Sequence, residues 1–356
     1  MKKSLLTLAA LLAASLLYLL FWPVPVDPVA WTPPTAPELT GPWAANEKLK
    51  AVERLAQDQG PGPEAIAFDA AGALYTGYSD GRVMRFDADG RNGVQVVNTG
   101  GRPLGLKFAP DGTLFVADAK KGLLKVDQGA VTVLATEAGG TPINFADDLD
   151  VTADGTVYFS DASSKFGYPG NTDFLEHGAN GRLLRYDPAS GKATVLVPGL
   201  HFPNGVALGP GEDYLVFNEQ ASYRVMRYWL KGDKAGLLEP LIENLPGLPD
   251  NVTFDRAGNR FWIALTTPRL KDLDALLPHP FLRKMVFRLP AAVQPKVVRH
   301  GFVIAIDPAG EVVANLQDAT PGAYAPLTSA IVHGDWLYFG SFMEHALARL
   351  PLAAVR

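Results

Sequence analysis

Two unlike patterns of apolar residues divide the chain. Directly after Met1-Lys2-Lys3, the stretch from Ser4 to Trp22 is uncharged and dominated by Leu and Ala. It is long enough to cross a hydrocarbon core as one helix, which takes ~20 residues. Further on, apolar residues come in short alternating runs separated by Asp/Gly-rich turns, and one unit recurs. Its clearest copies are Phe68-Asp69-Ala70-Ala71-Gly72-Ala73-Leu74-Tyr75, Phe108-Ala109-Pro110-Asp111-Gly112-Thr113-Leu114-Phe115 and Val151-Thr152-Ala153-Asp154-Gly155-Thr156-Val157-Tyr158. Weaker copies lie at Leu208 to Phe217, Phe254 to Ile263 and Ile331 to Phe339. Each is two strands joined by a tight turn. A second pair of strands trails every copy, beginning at Gly81, Gly122, Gly181, Arg224, Gly301 and Ala346. Four strands per unit, at a spacing of about forty residues, is the arithmetic of a propeller blade. Six units predict an all-β, six-bladed β-propeller, and Lys50 to Leu55 is placed to supply the outer strand that closes the last blade. A two-sheet sandwich is the alternative, and six copies of one unit fit it poorly.

Three segments follow from these patterns: an anchor or signal over 1–22, a Pro-rich linker over 23–48 and the propeller over 49–356. Lys2 and Lys3 should stay cytoplasmic, which sends the propeller to the periplasmic, extracellular or lumenal side. An uncleaved anchor is the reading adopted, because the apolar run ends in Tyr18-Leu19-Leu20-Phe21-Trp22 without a small-residue cleavage pattern. A cleaved signal peptide is its rival. The seven prolines between Pro23 and Pro42 predict an extended, semi-stiff spacer that holds the body off the bilayer.

Composition narrows the chemistry. The 35 Gly and 29 Pro suit many turns, and a formal charge of −5 gives no basic footprint for nucleic acid. With no cysteine, disulfides, thiolate metal sites and cysteine nucleophiles are excluded. No G-x-S-x-G elbow, phosphate loop or dinucleotide fingerprint sits in a suitable strand–helix context.

When the repeats are aligned on their turns, one column stands out. Four residues before Phe68, Phe108, Val151, Leu208 and Phe254 stand Glu64, Leu104, Asp147, Asn204 and Asp250. The sixth copy has a shorter turn, and its equivalent lies near Thr328. Four of five positions are oxygen donors at the start of the innermost strand, where they converge on the axis at one end. Crowded carboxylates repel unless a cation neutralises them, and an all-oxygen set suits calcium better than zinc or magnesium. Taken singly, each is an ordinary strand-start or turn residue; the alignment is what predicts a metal site.

The same stretches carry a family likeness. Gly62-Pro63-Glu64, Gly101-Arg102-Pro103-Leu104-Gly105, Phe145-Ala146-Asp147-Asp148-Leu149, Phe202-Pro203-Asn204-Gly205-Val206 and Leu248-Pro249-Asp250-Asn251 resemble the strictosidine-synthase-like family, in its adipocyte plasma membrane-associated protein branch. The likeness runs from about Gly62 to the end. More distantly the chain is similar to paraoxonases, gluconolactonases and diisopropyl-fluorophosphatase, six-bladed propellers with axial calcium. The resemblance implies metal ligands at Glu64, Asn204 and Asp250, and at Asp147 where relatives usually carry Asn; Asn251 lies nearby. It also implies a nucleophile or base at Asp250. Two departures bear on activity. Leu104 stands where paraoxonases place a His. The stretch Leu327 to Val332 lacks the Glu with which true strictosidine synthases condense an amine with an aldehyde, which argues against that reaction.

Loops after the second strand of each blade should share the metal's face. They include Asp118, Asp161 to Asn180, Asn218-Glu219, Thr266 to Met285 and Phe342 to His345. The longest insertion, Leu270 to Met285, reads as a short amphipathic helix, able to serve as a lid, a membrane contact or a packing element. His177 and His345 are candidates for proton transfer, although packing is the simpler role for each. Arg102, Asp148 and Asn251 are expected to meet the substrate. The function expected is a calcium-dependent hydrolase of small-molecule esters or lactones, membrane-attached through its N-terminal helix. The alternative is a non-catalytic propeller with a structural calcium, whose face is a binding platform.

Overall fold

A computed structural model describes residues 2–294 and 296–355. Six four-stranded antiparallel sheets are arranged as a six-bladed propeller. The inner strands are Ile66–Phe68, Pro103–Phe108, Ala146–Val151, Pro203–Leu208, Gly247–Asp255 and Ser329–His333. In the first five blades the chain runs outward strand by strand. The sixth has only three strands of its own, and Glu53–Leu55 supplies the fourth by pairing with Leu347–Pro351. The N-terminal strand therefore closes the ring, as the sequence predicts.

Apolar packing lies between blades rather than within one central core. Ala65, Val83 and Val116 join blades one and two; Phe115, Leu149 and Phe159 join two and three; Leu183, Val206 and Phe217 join three and four. Val216, Phe261 and Ile304 then join four and five, Trp262, Leu316 and Phe339 join five and six, and Leu74, Phe86 and Tyr338 close the circle. Because each sheet is covered on both faces, second strands such as Leu114–Asp118, Val157–Asp161 and Tyr214–Glu219 are buried at every position. Polar–apolar alternation is correspondingly weak in them.

An acid at the end of three second strands has a repeated structural job. Asp118, Asp161 and Glu219 accept the backbone N–H of Arg102, Phe145 and His201 (2.8, 3.1 and 2.8 Å), just ahead of their own blade's inner strand. These residues, expected on the metal's face, are thus struts that fix where the inner strands start. Asp161 and Glu219 are further paired with Arg182 and Arg224.

The described residues also include four α-helices: α1 (Lys2–Phe21), α2 (Asn171–Glu176), α3 (Lys271–Leu276) and α4 (Pro280–Arg288). Helix α1 is apolar and long enough to cross a membrane, with a mean hydropathy of 2.3. The Pro-rich segment departs from the expected spacer, because it lies along the body. Val26 is buried, and the N–H groups of Val29 and Trp31 donate to the carbonyls of Glu176 and Leu277. Arg269 and Asn244 hold the carbonyls of Pro34 and Thr35, and Gln317 holds that of Trp43. Proline-rich chain leaves many carbonyls without a local partner, and side chains of blades four and five satisfy them.

His177 belongs to this docking. Its ring is stacked between Trp31 and His201, at centroid distances of 4.3 and 4.5 Å, and burial pushes its pKa down to about 3. That is a packing role, not proton transfer. The unfolded chain binds this proton near pH ~6.5 and the folded chain resists it. The His177 contribution to stability is therefore complete above pH ~6.5 and is lost as pH falls from there toward about 3. Asn tolerates the left-handed backbone at this position (φ 51°). Denaturant titrations between pH 6.5 and 4.5 should show the native chain losing stability faster than His177→Asn, by about 1 kcal/mol per pH unit. Parallel curves would remove His177 as the cause.

Candidate functional site

Neighbouring inner strands approach one another so closely near the axis that side chains cannot pass between them. A Cβ on Gly205 would come within 2.3 Å of the Val252 nitrogen, and one on Gly105 within 2.8 Å of the Asp147 carbonyl oxygen. Glycine directly after Leu104 and Asn204 is what allows the inner strands to converge. At the same level, pairing of inner with second strand slips. Register shifts fall between Pro103 and Gly105, Ala146 and Leu149, Pro203 and Val206, and Pro249 and Val252. Bulges of this kind re-aim side chains. Here they aim Asp147, Asn204 and Asp250 into one cavity, while the residue after each faces elsewhere.

The cavity has a volume of about 360 Å³, within the usual ~300–1,000 Å³ of small-molecule sites. Glu64, Asp147, Asn204 and Asp250 form its polar end, beside Gln220 and Thr266. Leu104, Phe145, Phe174, Phe202 and Leu248 form apolar walls, and Leu270, Leu273, Val297 and Phe342 stand at the loop side. The insertion after Thr266 therefore builds a wall of the cavity, with α3 supplying Leu273. A second space of only about 30 Å³ continues along the axis beneath, lined by Asp148, Val206, Asn251 and Ser329 among others.

Of the residues expected at the site, the structure brings Glu64, Asp147, Asn204 and Asp250 together. Asp148 and Asn251, expected to bind substrate, lie on the lower space, not the cavity. The Asp148 carboxylate accepts the Val206 N–H at 3.0 Å and ties blade three to blade four; burial raises its pKa to about 7. The Asn251 N–H donates to the Thr328 carbonyl at 3.0 Å. Arg102 is wholly buried behind the cavity, ion-paired with Glu64 and donating to the Gly62 carbonyl at 2.9 Å. It holds a ligand candidate instead of meeting substrate. His345 is exposed outside the cavity. Gln220, Thr266, Tyr168 and Phe174 also line the cavity and were not found by repeat alignment, since they lie at or beyond the ends of second strands, where no pattern repeats.

Electrostatics at the polar end are severe. Burial raises the pKa of Glu64, and Arg102 pulls it back down. Burial raises Asp147 and Asp250 well above the ordinary carboxylate range; repulsion from Glu64 and Asp148 adds to both shifts, and repulsion from Asp147 adds to that of Asp250. Oδ1 of Asn204 and of Asp250 lack any hydrogen-bond donor here, as do Oδ1 of Asn218 nearby in the chain and of Asn251 on the lower space. The Asn204 amide donates to Asp147 at 3.1 Å, and the Asn218 amide donates to the Asp250 carbonyl. Buried oxygens left without donors beside crowded carboxylates have the chemistry a hard cation would satisfy. Among the described residues, however, no three His, Asp or Glu side chains stand close enough to hold one ion as they are. Glu64 directs Oε2 at Arg102 in this arrangement.

Comparison with known proteins agrees with this architecture. The family model described as strictosidine synthase matches residues 147–233, and that for the strictosidine synthase-like N-terminal region matches 41–86. Solved propellers share the fold at low identity. A gluconolactonase from Xanthomonas campestris has a TM-score of 0.62 at 19% identity, covering 83% of this chain and 88% of that one. The calcium-binding protein regucalcin from Agrobacterium tumefaciens has 0.59 at 18%, covering 83% and 92%. Adipocyte plasma membrane-associated protein from Gallus gallus is 36% identical over 98% of this chain and 90% of its own length. The Homo sapiens protein of that name is 34% identical over 93% and 85%, and strictosidine synthase-like 13 from Arabidopsis thaliana 36% over 73% of each. Similarity at this level over almost the whole length places the chain in the strictosidine-synthase-like family, with the adipocyte plasma membrane-associated proteins.

Proposed function

We propose that the chain is a calcium-dependent hydrolase of small esters or lactones, attached to a membrane by α1 with its propeller on the non-cytoplasmic side. The observation that carries this reading is the cavity itself, with three carboxylates and an amide oxygen at one end and apolar walls at the other. The gluconolactonase and regucalcin likenesses support it, as does the name of the membrane-associated relatives. Glu64, Asp147, Asn204 and Asp250 would hold the ion. When bound, calcium supplies a Lewis acid for the substrate carbonyl oxygen, worth several kcal/mol of charge stabilisation, roughly.

The remaining work falls to the chain. Asp250 has a free Oδ1 on the cavity and serves as base: a water oxygen bonds to the carbonyl carbon as its proton passes to Asp250. The ester or lactone C–O bond then breaks, and the departing oxygen receives the proton. Phe145, Phe174 and Phe202 exclude bulk water and orient the acyl part, while Gln220 and Thr266 offer hydrogen bonds beside it. Turnover of an aryl-ester and lactone panel should disappear with EDTA and return with calcium. Asp250→Asn should lower it by at least about 100-fold, the low end of the usual general-base contribution. Activity indifferent to EDTA would reject the metal; absence of turnover with a calcium-dependent melting shift would favour the binding platform.

The charge balance makes a separate prediction for the metal-free chain. Removing one partner of a buried ion pair is expected to cost about 3–5 kcal/mol, because the other charge stays buried alone. Arg102→Gln should therefore destabilise strongly, and adding Glu64→Gln should restore part of the loss. Asp147→Asn relieves repulsion while keeping an oxygen for Asn204, and should raise stability by about 1 kcal/mol. Urea unfolding in EDTA measures all three. Equal stability of native and Arg102→Gln chains would refute this balance.

A further inference from the structure

Helix α4 is fastened to the end of the membrane-crossing helix. Arg288 donates from Nε to the Trp22 carbonyl at 2.6 Å and from Nη1 to the Leu19 carbonyl at 2.7 Å. The last carbonyls of a helix have no intrahelical donor and sit at its negative pole, so a guanidinium suits them. The Tyr18 hydroxyl donates back to the Arg288 carbonyl at 3.4 Å. Arg283, wholly buried, binds the carbonyls of Leu175, Glu176 and Val29, which locks α4, α2 and the start of the linker together. Between Phe21, where α1 ends, and the buried Val26 lie only Trp22 to Pro25.

These contacts leave little slack between α1 and the body, and they fasten the end of α1 to α4, which directly follows the cavity-wall helix α3. Apolar side chains are exposed on α4 and on the segments beside cavity-lining residues. Phe281 and Leu282 on α4 are 52% and 42% exposed, Val293 64%, Val297 39% and Met343 47%. Val297 itself lines the cavity, and Met343 follows the lining residue Phe342. Elsewhere on the body, exposed aliphatic side chains such as Val94, Val131, Val133 and Val313 stand on the outer strands of blades one, two and five. Lys296 lines the cavity and suits a phosphate headgroup, whereas Lys284 and Arg299 are ion-paired with Asp27 and Glu344.

We propose that the cavity mouth lies on the lipid surface, with Phe281, Leu282 and Val293 entering the headgroup layer, so that the site receives amphiphilic esters or lactones from the bilayer. The lipid contact rests on α1 crossing a membrane; the substrate class rests on the hydrolase reading above.

The chain has no cysteine, so single nitroxide labels need no background removal. The full chain would carry Phe281→Cys, Val293→Cys or Met343→Cys. Ala70→Cys, on an exposed turn at the far end of an inner strand, is the control. In phosphatidylcholine/phosphatidylserine vesicles, labels at 281 and 293 should give an oxygen-to-nickel-chelate collision ratio several-fold above that at 70, and 343 an intermediate one. Ratios equal to that at position 70 would overturn the proposal, and so would labels shielded from both reagents, which would indicate a protein on the mouth. A second arm uses Phe281→Asp with Leu282→Asp, neither of which lines the cavity. Turnover of an aryl decanoate held in the vesicles should fall several-fold while that of soluble aryl acetate is unchanged; equal losses would overturn the bilayer route. If the native chain hydrolyses neither ester, the hydrolase reading fails, and the label depths still decide the membrane contact.

Discussion

Everything about the axial end of this propeller answers to one constraint: three carboxylates are buried around a common space. Their pKa values rise because water is removed, and rise further for Asp147 and Asp250 because the acids face one another. A fold that brings them together must supply positive charge or pay in stability. Arg102 is the positive charge built into the protein, wholly buried and directed at Glu64. It neutralises one acid of the three. The remaining two, with the donorless Oδ1 atoms of Asp250 and Asn204 among them, make a site whose unmet charge matches a divalent cation. Carrying Asp instead of Asn at position 147 is thus compatible with the proposed calcium, because Arg102 offsets the added charge.

Holding the acids there is the task of ordinary backbone features placed unusually close to the axis. The struts from Asp118, Asp161 and Glu219 fix where three inner strands begin. Bulges then separate consecutive residues, so Asp147 reaches the cavity while Asp148 bonds the next blade. Glycines 105 and 205 permit the close approach that converts residues distant in sequence into one surface. Packing between blades makes this arrangement stiff, since every sheet is buried on both faces.

Much of this was legible in the chain because a propeller writes its architecture repeatedly. Turn-to-turn alignment located six blades, the closing strand near Leu55 and the four oxygen donors. What it missed follows from what does not repeat. The bulges are invisible to a count of residues back from a turn, so Asp148 and Asn251 were expected on the cavity and lie on the narrow space below it. Gln220, Thr266 and Phe174 come from the ends of second strands and the segments that follow them, which differ from blade to blade. The linker was misjudged for another reason: composition describes a free proline-rich chain, whereas Arg269, Asn244 and Gln317 are distant side chains that bind its carbonyls.

On the proposed membrane attachment, that docked linker changes what α1 does for the site. A flexible tether would let the propeller tumble, and the cavity would sample water in all directions. Here the segment from Trp22 to Pro25 is too short to act as a spacer, and Arg288 caps the carbonyls that end α1. The fastening is then continuous with the cavity wall, because α4 carries Arg288 and follows α3, which supplies Leu273. Anchor, wall and mouth form one mechanical unit. On the proposed reading, an apolar acyl chain leaving the headgroup layer meets Val297 and Leu273 before it reaches Asp250, a path from lipid to metal that keeps its greasy part away from water.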